Sequence, residues 1–196
     1  MAVQDDAPRP AALTRILCDP KAWCAAVGVL AAGMVAWCTL AHVVYVYHPL
    51  PWCDYWDFVC LLPHYLSPDF RLTDLWAQHN EHRILFPRLV FLADALWFGA
   101  NGVLNVLVSC LIHCGHAALM AVAVAAAMPR GPTLVVAAAA VVASLMFASQ
   151  SVNLWWTFQV QFVLVYLAVT AALHQLARPQ PGWWRLLAAV LLGCDR

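Results

Sequence analysis

Charge is what this sequence has least of. Only 10% of its 196 residues are Asp, Glu, Lys or Arg, and 64% are hydrophobic. A soluble domain is about a quarter charged and half apolar, so the composition excludes one and leaves an all-α integral membrane protein packed in lipid. The charges cancel, and without a basic excess nothing points to nucleic acid. Eight cysteines contain no CxxC pair. A Walker A loop, GxGxxG, GxSxG and HExxH are all missing, so nucleotide binding and soluble hydrolase chemistry have no support. No internal repeat is evident.

What is present is a series of long apolar runs. Residues 1–21 form a polar tail with Arg9, Arg15 and Lys21. The run Ala22–Tyr47 is too long for a cleaved signal and reads as an uncleaved signal anchor. Further spans are expected at Val103–Met128, Thr133–Ser149 and Trp155–Ala177, giving a bundle of about four full transmembrane helices within residues 22–177. Breaker-rich turns, Pro129-Arg130-Gly131-Pro132 and Arg178-Pro179-Gln180-Pro181-Gly182, join them. A partial fifth helix, Trp183–Gly193, is half a span, and Cys194-Asp195-Arg196 follows. A half-span would end its carbonyls in hydrocarbon, so residues 178–196 read as a cytoplasmic turn and truncated helix. The chain then reads as the N-terminal part of something longer.

The segment Ile84–Gly99 is apolar but short, and holds Pro87, Arg88 and Asp94. If it does not span, Arg130, Arg178 and Arg185 join the N-terminal cations on the cytoplasmic side. That arrangement also keeps Arg88 and Asp94 out of lipid. It predicts a long outer loop, 48–102, carrying interfacial helices between the first two spans, with the N-terminus cytoplasmic. The same choice puts the polar segment Gln150–Thr157 on the same face as the loop.

That loop gathers six of the ten acids, counting Asp94, and four of the eight histidines, counting His48. Asp54 and Asp57, three apart, share a face on a helical turn. Such a pair can orient a nucleophile, take its proton, or hold a divalent cation. The alternative is a solvated loop that Trp52, Tyr55, Trp56 and Phe58 anchor in the interface. His79, Glu81, His82 and Arg83 offer a base, a carboxylate and a guanidinium suited to phosphate, or simply the polar start of an apolar helix. As a zinc motif, HxxH lacks further ligands nearby. Arg83 and Arg88 suit an anionic head group or snorkelling in lipid. Cys53 and Cys60 share the loop, and a disulfide is open to them in an oxidising compartment.

Gln150, Asn153, Thr157 and Gln161 form a stripe at the start of a transmembrane helix, for a water-filled cavity or interhelical hydrogen bonds. His113 and His116, with Cys110 a turn away, read as packing and hydrogen-bonded residues, and no metal is assigned there. Asp94 and Asn101 read as a cap or pair inside the bundle.

The order of these parts resembles the GT-C superfamily of membrane glycosyltransferases, which includes protein O-mannosyltransferases, aminoarabinose transferases and oligosaccharyltransferase catalytic subunits. The matching residues are Asp54-Tyr55-Trp56-Asp57-Phe58, then Glu81-His82-Arg83-Ile84-Leu85-Phe86-Pro87-Arg88-Leu89, then Trp97-Phe98-Gly99-Ala100-Asn101, then Trp155–Phe162. They look most like a bacterial branch with Asp-x-Trp-Asp-Phe-like and Glu-His-Arg-Ile-like segments, and cover roughly Val44–Phe162. The resemblance implies transfer of a sugar from a polyprenyl-phosphate carrier to an acceptor on the outer face of the bacterial cytoplasmic membrane. Asp54 or Asp57 would be catalytic. His79, Glu81, His82, Arg83, Arg88, Asn153 and Gln161 would bind substrate. Two departures stand out. The adjacent acidic pair of many relatives is absent, and the superfamily core has more spans than this chain, which is therefore expected to be inactive alone. Two other readings compete: a transporter or flippase-like component, and a small non-catalytic membrane subunit whose loop binds a partner.

Overall fold

A computed structural model describes residues 19–79 and 82–177, with only the backbone of His82. The polar tail up to Cys18, Glu81, and the half-span Trp183–Gly193 lie outside the described residues.

Helix α1, Pro20–Val46, starts where Asp19 accepts a hydrogen bond from the Lys21 amide at 2.9 Å and Pro20 supplies a preset φ. The loop segment follows with α2, Tyr55–Tyr65, a 3-10 turn at Leu72–Trp76, and the short strands β1, Gln78–His79, and β2, His82–Arg83. The strands pair antiparallel, Gln78 with Arg83 and His79 with His82. Then come α3, Leu85–Phe98, and α4, Val103–Ala127. Helix α5, Pro132–Leu145, leads through a 3-10 turn at Ala148–Gln150 into α6, Ser151–Trp155. A last 3-10 turn, Thr157–Gln159, opens into α7, Val160–Leu176.

Among the described residues four stretches are long and apolar enough to cross a membrane: Pro20–Val46, Val103–Ala127, Pro132–Trp155 and Thr157–Leu176. The protein is an all-α, multi-pass membrane protein. Helix α3, at 14 residues, is about 21 Å long and falls short of a hydrocarbon core of about 30 Å. Helix α1 packs on α5, α5 on α4, and α4 on α7, while α3 leans on α4.

Two features depart from the expected spans. Helix α5 stops at Leu145, four residues before the expected Ser149. Its last carbonyls have partners elsewhere: the Thr39 hydroxyl donates to the Met146 carbonyl at 2.6 Å, and His113 Nε2 donates to that of Leu145 at 2.9 Å. With those orphan acceptors satisfied, the helix can end inside the bundle. The chain is also extended at Trp156, with φ −75° and ψ 109°. Gln150, Asn153, Thr157 and Gln161 therefore lie on four different pieces of backbone, and the single helical stripe expected for them does not form.

The loop segment carries its own core of Tyr55, Phe58, Tyr65, Leu75, Ile84, Phe91, Phe158 and Val160. Phe91 sits at its centre, with ring centroids 5.2 Å from Tyr55, 5.3 Å from Phe58 and 5.8 Å from Phe158, within the range of favourable aromatic pairing. Cys53 and Cys60 are free, exposed thiols.

Candidate functional site

Asp54 and Asp57 open helix α2. Asp54 is its N-cap residue and Asp57 lies in its first turn, with the Asp57 amide donating to the Asp54 carbonyl at 3.2 Å. Both carboxylates are on the exposed side. The helix buries Tyr55 and Phe58 instead. Of the four aromatics expected to anchor this turn in the interface, Tyr55 and Phe58 are core residues, and only Trp52 and Trp56 stay half-exposed. The three-residue spacing explains both results, since it puts the two acids on one face and Tyr55 and Phe58 together on another.

The hairpin brings His79 to this turn. Its Nε2 lies 4.0 Å from Asp57 Oδ2. The carboxylate is open to solvent, whereas the His79 side chain is only 13% exposed. The His79 ring packs on Phe158 at 5.0 Å, and its Nε2 is buried without a hydrogen-bond partner among the described residues. A gap of 4.0 Å is too long for a hydrogen bond. It leaves an aimed acid–imidazole pair.

The other expected residues divide. Arg83 is exposed, donates Nη1 to the Trp76 carbonyl at 2.7 Å, and stacks over the Trp76 ring at 5.8 Å. Arg88 is buried, and its Nη1 donates to the carbonyls of Leu75 (3.0 Å) and Ala77. It ties the 3-10 turn to α3 rather than facing the Asp57 side chain's solvent. Asn153 donates to Gln150 Oε1 at 2.9 Å, and Gln161 is half-buried in the first turn of α7. Glu81 and the His82 side chain lie outside the described residues. Among the described residues no three His, Cys, Asp or Glu groups converge as a metal site.

The loop and the Gln150–Thr157 segment do meet. Trp156 Nε1 donates to the Trp52 carbonyl at 3.3 Å, and Trp52 and Trp155 approach to 6.4 Å. Gly102 packs so closely on Thr157 that an added Cβ would lie 2.2 Å from the Thr157 methyl.

The whole assembly hangs on Asp94. Its carboxylate accepts the Gly102 amide at 2.7 Å, the Leu104 amide at 2.8 Å and the Tyr55 hydroxyl at 3.4 Å. It thus caps α4 while holding α2, a charge at a helix N-terminus where the backbone favours one. Burial first, and the Asp94 charge second, push the Tyr55 hydroxyl well above the usual tyrosine range. Sequence reasoning read Asp94 as a cap but missed Tyr55 as its partner. The available signal was a polar-tipped aromatic standing between two exposed acids. On the far side of the loop, Asp74 accepts from the Arg71 amide and from His64, both at 2.9 Å, which hold its carboxyl below the ordinary range.

No family model, curated protein or solved structure matches this chain.

Proposed function

We propose that this protein belongs to a membrane glycosyltransferase of GT-C type. It would move a sugar from a polyprenyl-phosphate carrier to an acceptor on the outer face of a bacterial cytoplasmic membrane. The observation that supports the reading is the Asp57–His79 pair, on the loop between the first two spans and backed by Phe158 from the last one. On this reading the N-terminus is cytoplasmic and the loop, with α3 in the interface, is outer.

The 4.0 Å gap leaves room for an acceptor hydroxyl alongside Asp57. The carboxylate takes the hydroxyl proton as the oxygen bonds to the sugar's anomeric carbon, while the bond from that carbon to the carrier phosphate breaks. The leaving group is a phosphate anion, and a hydrogen bond from His79 or the charge of the exposed Arg83 would stabilise it. Asp54 on the same face orients the acceptor. Arg88 supports the loop from below.

The test is made in native cells, with Asp57→Asn, Asp54→Asn and His79→Gln in the full-length gene. Polyprenyl-phosphate sugars are quantified by mass spectrometry, and carrier binding is measured on purified protein. Asp57→Asn should build up one lipid-linked sugar at least tenfold while carrier binding persists. His79→Gln should show a smaller rise. A lipid-linked sugar pool unchanged by deletion of the whole gene would refute the reading.

One observation favours a second reading, a transporter or flippase-like component: the polar residues buried along α4. In that case Asp57→Asn would be mild, and substitutions inside the bundle severe.

A further inference from the structure

Helix α4 hides four polar side chains on one face. Asn105 and Ser109 are fully buried, His113 is 3% exposed and His116 9%. Their spacing of four, four and three residues keeps them in one row along a helix. The row is about 16 Å long, roughly half the hydrocarbon thickness, inside a helix otherwise apolar enough to span. It faces the protein, whereas Leu107 and Leu111 on the same helix are exposed.

Much of the row has no partner among the described residues. Both amide atoms of Asn105, the Ser109 hydroxyl, and Nδ1 of both His113 and His116 are buried without a hydrogen-bond partner among the described residues. His113 Nε2 meets the Leu145 carbonyl at 2.9 Å. That oxygen can only accept, so Nε2 carries a proton, and Nδ1 on the other side of the ring has no partner among the described residues. His116 Nε2 lies 2.9 Å from Thr170 Oγ1 on α7. Buried polar atoms are normally paired with protein or water, and hydrocarbon supplies neither.

We propose that these side chains line a water-filled file, entered from the loop end and blind at His116. The upper end reaches the loop anchor. Asn105 reaches the Tyr55 hydroxyl, close enough to favour its ionised form but short of a well-formed hydrogen bond, and Tyr55 donates to Asp94. On α4 the row ends at His116, because that helix is apolar from Ala117 through Leu119, Met120 and Val122 to Ala127, while on α7 Gln175 Oε1, five residues past Thr170, is also buried without a partner among the described residues. The ligand is water, since each site offers lone polar atoms on a single row and, among the described residues, no charged group converges on it. Each water would link one side chain to the next, with the two to four polar partners that buried water requires. The inference does not depend on the transferase reading.

Thiol accessibility tests it on the full chain reconstituted in sealed vesicles, with the native cysteines replaced by alanine. Ser109→Cys puts a near-isosteric thiol in the file, and Leu111→Cys puts one on the lipid face. Sulfonatoethyl methanethiosulfonate, an anion that does not cross bilayers, applied from the loop side should modify the Ser109→Cys thiol at least tenfold faster than the Leu111→Cys thiol. Applied from the opposite side it should be at least tenfold slower at Ser109→Cys. Equal rates at the two positions would overturn the file, and equal rates from the two sides would overturn its blind end. If Ser109→Cys does not elute as a folded species, Asn105→Cys takes its place under the same criteria.

Discussion

Arg88 and Tyr55 show how a side chain's type can suggest one task while its surroundings give it another. An arginine in a loop with acids and histidines suits phosphate, yet Arg88 is 3% exposed and bonded to main-chain carbonyls. Arg88→Met should leave those buried acceptors without a donor and cost about 1–3 kcal/mol, read as a lower thermal unfolding midpoint in detergent. Unchanged stability with lost carrier binding would instead make it a ligand residue. Tyr55 gives a pH prediction. Burial raises its folded pKa above the ordinary tyrosine value of 10.0, so its contribution is whole below pH 10 and is lost as pH climbs towards the folded value. Thermal stability should therefore drop in strong alkali, and Tyr55→Phe should flatten that drop. An equal alkaline loss in both proteins would show that other groups carry it. Such roles could not be read from residue types. Asp54 and Asp57 were legible because three-residue spacing at a helix start fixes a shared face. His79 was legible as a candidate, but its approach to Asp57 depends on a hairpin that propensity does not announce.

The helices were largely legible as elements, because long apolar runs between Pro- and Gly-rich turns have few alternatives in lipid. What the pattern did not reveal was where tertiary contacts interrupt it. Residues 150, 153, 157 and 161 have helical spacing, but the backbone opens at Trp156, whose indole is tied to Trp52, and Thr157 is pressed on Gly102. The α3–α4 turn depends on that contact. Gly102 has φ +80°, a conformation that costs a side chain about 1 kcal/mol, and a methyl group there would collide with Thr157. Gly102→Ala should thus lower the unfolding midpoint, and adding Thr157→Ser, which removes the colliding methyl, should restore part of the loss. A double variant no more stable than Gly102→Ala would show that backbone strain, not the collision, dominates.

At the scale of the molecule, the four apolar stretches make a row: α1, α5, α4, then α7. That order is not sequential, since the third crossing inserts between the first two. Composition could not foretell it. It rests on small residues, with Gly28 placed so that an added Cβ would stand 3.7 Å from the Ala139 Cβ, inside the range of about 3.5–4.5 Å that a disulfide needs. Gly28→Cys with Ala139→Cys, in a background without native cysteines, should cross-link under mild oxidant and hold the two fragments together after cleavage in the intervening loop. Fragments that separate without reductant would contradict the packing of α1 on α5.

Helix α5 is the short wall of this row. Its 14 residues reach about 21 Å, while α4 runs for 25 residues. The rest of the third crossing is made by short turns carrying Gln150 and Asn153. Lipid beside that wall meets a continuous helix as far as Leu145 and then, above it, the exposed Phe147 and Val152 on short turns. A lipid tail lying along the third crossing would pass from a smooth helical face to an uneven apolar edge before it reached the loop.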